Sequence, residues 1–179
     1  MVNRGWILRN TIIWHKPNCM PSSAKDRFTV DFEYLYFFVK SKKYWFEQQL
    51  EKATRDWSKS GGNIVGKGIH KKGGNFVDNG NGRDTSIERT NRNKRTVWKI
   101  PTKPFPDAHF AVFPEALIET PIQAGCPKGG IVLDPFMGAG TTAVVSLKQG
   151  KRYLGIELKQ EYIDMANKRI KAIPLKLFK

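Results

Sequence analysis

Residues 134–142 read DPFMGAGTT, directly after the apolar run GGIVL and running into the helix-forming stretch that starts at Thr141. A strand that passes through a glycine turn into a helix brings backbone close to a ligand at the C-terminal edge of a sheet. Gly138 and Gly140 remove the Cβ atoms that would block that approach. Glu157 closes the next apolar stretch, RYLGIEL, 17 residues after Gly140. A carboxylate at that place can accept from both hydroxyls of a ribose. Turn and carboxylate together predict a nucleoside-containing cofactor, and two are compatible with the residues. GAGTTA fits the glycine pattern of nicotinamide dinucleotide sites. S-adenosylmethionine needs only one nucleoside site and a pocket for an amino acid, and the DPF ahead of the glycines favours it.

The frame that must hold these groups is α/β. IVLDPF and RYLGIEL are strand-like, TTAVVSLKQG is a helix closed by Gly150, and KQEYIDMANKRIKAI is a second helix. Tyr162, Met165, Ala166, Ile170 and Ile173 share one face of the latter at helical spacing. This βαβα order predicts a parallel sheet. PEALIETPIQAG reads as a short helix, with Pro114 suited to its first turn and Gly125 to its stop. Near the start of the chain, TIIW and EYLYFFV read as strands on either side of a loop punctuated by Pro17 and Pro21. EYLYFFV is a near-continuous apolar run, predicted to be buried on both faces and to be the one antiparallel strand.

The chain has 179 residues, with 31 Lys and Arg against 16 Asp and Glu, for a formal charge of +15. A chain this basic should attract a polyanion, and nucleic acid is the usual one. Cys19 and Cys126 show no metal-ligand spacing, so no metal site is predicted. There is no run of 18 apolar residues and no secretory signal pattern, so the expectation is a cytoplasmic chain without membrane spans.

Between the strand-rich start and the cofactor segment the composition changes. Residues 47–98 hold the glycine-rich GGNIVGKGIHKKGGNFVDNGNG and the polar, basic RDTSIERTNRNKR. This reads as an insert, between core segments at 1–46 and 99–179. Ten Lys or Arg lie between Lys67 and Lys103, against Asp78, Asp84 and Glu88. Lys67, Lys71, Lys72, Arg83, Arg89, Arg92, Lys94 and Arg95 are the predicted phosphate contacts to duplex DNA. The arginines, with Asn91 and Asn93, carry groups that read base edges.

The stretch from AHFAVFPEALIETPIQAG through GGIVLDPFMGAGTTAVVSLKQGKRYLGIELKQEYIDMANKRI resembles the C-terminal half of DNA amino-methyltransferases, which methylate N4 of cytosine or N6 of adenine. LRNTIIWHKPNCMPSSAKDRFTVDFEYLYFFVKSKKYWF resembles the middle of the same family. The motif order is that with the catalytic motif first, target recognition in the middle and cofactor motifs last. The resemblance covers nearly all of the chain except the insert, and departs at Ala139, where the family more often has Ser. It implies a mainly parallel Rossmann-like methyltransferase sheet with one antiparallel strand, incomplete at its N-terminal side. It implies S-adenosylmethionine as cofactor, with Asp134, Pro135, Phe136, Gly138, Ala139, Gly140, Thr141 and Thr142 around the methionine part and Glu157 on the ribose. HFAVFP, with His109, Phe110, Phe113 and Pro114, would be a second cofactor motif beside the methionine end.

The family's catalytic motif is Asp, Asn or Ser followed by two prolines and an aromatic residue. Its polar side chain and a proline carbonyl accept from the amine, and the aromatic stacks on the flipped base. This sequence has ten prolines and no two are adjacent, so no catalytic residue is assigned within it. The expectation is therefore the C-terminal portion of a site-specific, restriction-modification methyltransferase. It would be inactive without the missing N-terminal motif, and a truncation, a split gene product and one half of a two-chain enzyme all fit the sequence. The alternative is a non-catalytic, DNA-binding or complementing subunit.

Overall fold

A computed structural model describes residues 1–53, 91–103 and 112–174. The chain divides into two units, one formed by Met1–Gln49 with Arg95–Lys179 and the other by Leu50–Lys94.

In the larger unit, β1 (Ile7–His15) pairs antiparallel with β2 (Phe32–Val39). The smaller unit contains β3 (Leu50–Lys52) and β4 (Asn91–Asn93), an antiparallel pair. Back in the larger unit, β5 (Val97–Lys99) lies parallel to β1 on the side away from β2. Helix α1 spans Glu115–Gly125. Then come β6 (Ile131–Asp134), α2 (Thr141–Lys148), β7 (Arg152–Gly155) and α3 (Gln160–Lys171), with β6 and β7 parallel.

The βαβα reading of residues 131–171 therefore holds, and EYLYFFV is antiparallel as expected. Two expectations need correction. The described strands do not form a mainly parallel sheet. They form three small sheets, and the longest pairing is the antiparallel β1–β2 ladder. An irregular 16–31 loop lets the chain double back beside β1, whereas a parallel return requires a crossover of the kind α2 supplies between β6 and β7. Nor is β2 buried on both faces. It is an edge strand whose successive side chains alternate between the two faces, so Leu35 is half-buried while Tyr34 and Tyr36 stand exposed. The three-residue strand β5, set among proline-rich sequence, has no counterpart in the sequence-based expectation.

Helix cover decides which face of each sheet is core. Trp14 of β1, Trp98 of β5 and Leu117 of α1 form one buried cluster, joined by Ile12, Leu35 and Ile100. The indole of Trp14 donates to the Ile100 carbonyl at 2.7 Å, so its one polar atom is satisfied inside the cluster. Across the opposite face, Tyr34, Ile13 and Val97 lie in one row, and Tyr34 and Val97 are exposed. The β6–β7 sheet repeats the arrangement. Helix α2 packs on both strands, while the paired Leu133 and Leu154 remain 59% and 57% exposed on the other face. Helix α2 itself is buried at every residue from Thr141 to Ser146. The polar oxygen of Ser146 is accommodated by donating back to the Thr142 carbonyl at 2.7 Å.

Lys151, just before β7, is also buried, and its ammonium donates to the Ile122 carbonyl near the end of α1 and to the side chain of Gln149. Burial pushes its pKa down, against the opposing pull of Cys126 and Glu47. The charge sits where the C-terminal end of a helix favours a cation. Among the described residues, no helix is long and apolar enough to cross a membrane.

Candidate cofactor site

The turn between β6 and α2 is built by its first residue. Asp134 ends β6 and splits its carboxylate. Oδ1 accepts from the Phe136 N–H at 3.0 Å, and Oδ2 accepts from the Thr142 hydroxyl at 2.5 Å. One side chain thus closes the start of the turn and ties it to the first turn of α2, an arrangement open to Asp because it reaches its own backbone two residues on. The backbone adds a hydrogen bond from Gly140 N–H to the Met137 carbonyl at 3.0 Å.

The two glycines serve different ends. Gly140 has φ +77°, and a Cβ there would lie 2.7 Å from the Cβ of Ala166. It is required both by its left-handed backbone and by the close approach of α3. Gly138 has φ +52°, and nothing lies within 4 Å of the place its Cβ would take. The turn is therefore open at Gly138 and packed at Gly140.

Glu157 stands two residues beyond the end of β7. Its Oε2 accepts from the Gly138 N–H at 2.9 Å, and its Oε1 accepts from the N–H groups of Leu158 and Lys159 at 2.8 and 2.9 Å. The Lys159 N–H does most to hold the carboxyl below the usual carboxylate pKa, helped by the Gly138 and Leu158 N–H groups and the Lys159 charge against partial desolvation. Glu157 is thus ionised and already bound to the turn. Of roughly four acceptor positions on a carboxylate, three are filled and one remains, on Oε2.

Arg169, which sequence reasoning missed, reaches the turn from α3. Its Nη1 donates to the Ala139 carbonyl at 2.7 Å and to the Thr141 hydroxyl at 2.9 Å. Its Nη2 lies 3.6 Å from Glu115 Oε1, and the other Glu115 oxygen takes the Lys148 ammonium at 2.5 Å. Burial lowers the Arg169 pKa, partly offset by Glu115. The available signal was spacing, since Arg169 follows Ala166 by three residues and so shares its face of α3.

The structure gathers Asp134, Pro135, Phe136, Gly138, Ala139, Gly140, Thr141, Thr142 and Glu157 around this one turn. Thr141 and Thr142 are buried, and their hydroxyls serve the turn itself, on Arg169 and Asp134. Phe136 is 88% exposed. Pro114 precedes α1 as its buried N-cap and Phe113 is exposed, while His109 and Phe110 lie outside the described residues. Of the basic set, Arg92 pairs with Glu51 across β3 and β4 at 2.9 Å. Lys94 is half-buried and Arg95 exposed, while Lys67, Lys71, Lys72, Arg83 and Arg89 lie outside the described residues. No cluster of metal-ligating side chains occurs among the described residues.

A family model for N6/N4 DNA methylases matches residues 1–168. The type II methyltransferase M.Cfr9I of Citrobacter freundii is 42% identical over 166 residues, which are 93% of this chain and 45% of that protein. M.SmaI of Serratia marcescens, also a type II methyltransferase, is 40% identical over 168 residues, 94% of this chain and 48% of that one. The chain spans about half the length of these curated relatives. Among solved structures, the M1.HpyAVI–SAM complex aligns with a TM-score of 0.61 at 25% identity, over 94% of this chain and 65% of that one. The cytosine-N4-specific PvuII DNA methyltransferase aligns at 0.62 and 18% identity, over 97% and 55%, a likeness of fold.

Proposed function

Because the chain belongs to the N6/N4 DNA methylase family, we propose that it is the cofactor-holding part of an S-adenosylmethionine-dependent DNA methyltransferase of the restriction-modification kind. The enzyme would act on N4 of cytosine or N6 of adenine in duplex DNA. The observation that carries this reading is the hydrogen bond between Glu157 and Gly138, which joins the acidic residue after β7 to the glycine turn after β6.

The residues fit the cofactor. Glu157 keeps one acceptor position on Oε2, beside the open space at Gly138, and that suits one ribose hydroxyl. Holding both hydroxyls requires the Gly138 N–H to be released. The turn through Thr142 leads into an α2 N-terminus that has no side-chain cap, an end that favours the carboxylate of an amino acid. Phe113, Pro114 and, by family resemblance, His109 and Phe110 belong to the methionine side. When bound, S-adenosylmethionine supplies an electrophilic methyl group for an exocyclic amine. The residues here bind and orient it. The acceptors that would steer the amine belong to a Pro-Pro-aromatic motif, and these 179 residues contain no adjacent prolines.

The proposed complement is an N-terminal methyltransferase half bearing that motif, on the same polypeptide or on a separate one. Both sheets of the larger unit support it, since each carries helices on one face and an apolar row on the other. Sheets with parallel strands of this class are ordinarily covered on both faces. DNA would be held by the basic residues of the 47–98 segment through phosphates. The second reading, a non-catalytic complementing subunit, is favoured by the absence of the motif.

The test is methyl transfer from labelled S-adenosylmethionine to duplex DNA. The chain is assayed alone and then with the part of the Citrobacter freundii relative that lies outside the matched region. Cofactor binding by the chain, with transfer only in the mixture, supports the proposal. Cofactor binding without transfer in either case favours the second reading, and preference for a nicotinamide dinucleotide over S-adenosylmethionine rejects both.

A further inference from the structure

We infer that Arg169 is a positioning residue for the methionine side of the site, acting by locking the Ala139–Gly140 peptide, and that Glu115 holds Arg169 in place for this task. The inference rests on the S-adenosylmethionine reading of the turn. The Ala139–Gly140 peptide turns through ψ of Ala139 and φ of Gly140, and Gly140, at φ +77°, has no Cβ to oppose the change on its side. Here that peptide is gripped from both ends. Its carbonyl, on Ala139, accepts from Arg169 at 2.7 Å, and its N–H, on Gly140, donates to the Met137 carbonyl at 3.0 Å. A planar peptide with both polar groups engaged cannot flip without breaking both bonds.

The same Arg169 nitrogen also takes the Thr141 hydroxyl, so the guanidinium spans the last turn residues and the first residue of α2. A half-buried cation is favoured by a counter-charge, and Glu115 supplies it while also pairing with Lys148. One carboxylate at the start of α1 therefore links the end of α2 and the last turn of α3 to the turn. Arg suits this place because its planar fork directs several donors at once, whereas a Lys ammonium offers one compact charge. Glu157 grips the turn at the Gly138 N–H and Arg169 grips it at the Ala139 carbonyl, so the ribose side and the methionine side have separate supports.

That separation defines the test. Calorimetry on the full chain compares S-adenosylhomocysteine with adenosine, which lacks the amino acid part. Arg169→Ala should weaken S-adenosylhomocysteine about tenfold, the scale of losing a hydrogen bond to a charged group, and leave adenosine within about twofold. Arg169→Lys should fall between Arg169→Ala and the wild type. Glu115→Gln should shift affinity in the same direction by less, and millimolar guanidinium should partly restore Arg169→Ala. If Arg169→Ala does not fold, the Lys and Gln variants decide. Equal S-adenosylhomocysteine affinity across the variants overturns the inference. A matched loss of both ligands also overturns it, because it marks a merely structural role. Failure of the wild-type chain to bind either ligand removes the reading on which the inference stands, and the inference with it.

Discussion

Glu157 Oε2 accepts the Gly138 N–H at 2.9 Å, so a carboxylate just beyond β7 holds the turn that follows its parallel neighbour β6. Glu157→Gln replaces one acceptor oxygen with a donor and so breaks at least one of the three N–H bonds to this side chain. S-adenosylmethionine affinity is expected to drop about tenfold or more, the scale of a hydrogen bond to a charged group. Isothermal titration of the folded variant checks it, and unchanged affinity would remove Glu157 from the site.

The same carboxyl has a pKa lowered by folding. A group of this kind contributes stability that is present above its unfolded pKa and lost as pH falls through its folded pKa. The stability gap between the wild type and Glu157→Gln should therefore be widest at neutral pH and close in acid. Thermal unfolding across a pH series measures it, and a gap that widens on acidification contradicts the assignment.

Gly140 and Gly138 should differ in their tolerance of a side chain. Gly140→Ala adds a Cβ against Ala166 and keeps a residue at φ +77°, whereas Gly138→Ala meets open space. Left-handed strain alone costs about 1–2 kcal/mol, and the clash places Gly140→Ala above that. Urea denaturation of the two variants should rank them in this order.

Thr142 should act through its hydroxyl. Thr142→Val leaves Asp134 Oδ2 without its 2.5 Å donor and should cost about 1–3 kcal/mol, while Thr142→Ser keeps the donor and should cost less. A larger loss for the Ser variant in chemical denaturation would show that packing of the methyl, not the hydrogen bond, matters here.

If Arg92, Lys94 and Arg95 face DNA phosphates, neutralising them should flatten the salt dependence of binding by about 0.9 in log–log slope for each phosphate released. Arg92 already has Glu51 as a partner, so Glu51→Gln should strengthen non-specific binding by freeing its charge. Fluorescence anisotropy over a salt series tests both. No change in slope for the triple variant assigns these residues to solvent.

The turn and its carboxylate were legible in the sequence because they obey local rules. An Asp that caps its own turn, glycines at left-handed positions and an acid after the following strand sit at fixed spacings. Helices α1, α2 and α3 were legible from periodicity and from Pro114 and Gly150. What escaped was set by distant pairing. The side-by-side arrangement of β1 and β5 joins residues more than 80 positions apart, and no pattern within VWK announces it. Burial of EYLYFFV was overestimated because aromatic content resembles a two-sided core, while Tyr34 and Tyr36 fall on the open face. Arg169 escaped for a related reason. A basic residue in the last turn of a helix reads as a dipole partner or a solvated charge, and only the close approach of α3 at Gly140 turns it inward.

Helix α2 is buried from Thr141 through Ser146, and this governs the motion of the turn that leads into it. A helix with one wet side can roll or fray on that side. This one is enclosed at its beginning, where helices usually loosen first. Amide hydrogens from Val144 onward, bonded within the buried stretch, should exchange slowly even with no small molecule bound, while those of Phe136 and Leu158, held only by side-chain carboxylates at the exposed rim, exchange faster. The turn thus enters any encounter with its disorder already removed by folding, and an arriving molecule needs to order only itself and the exposed rim.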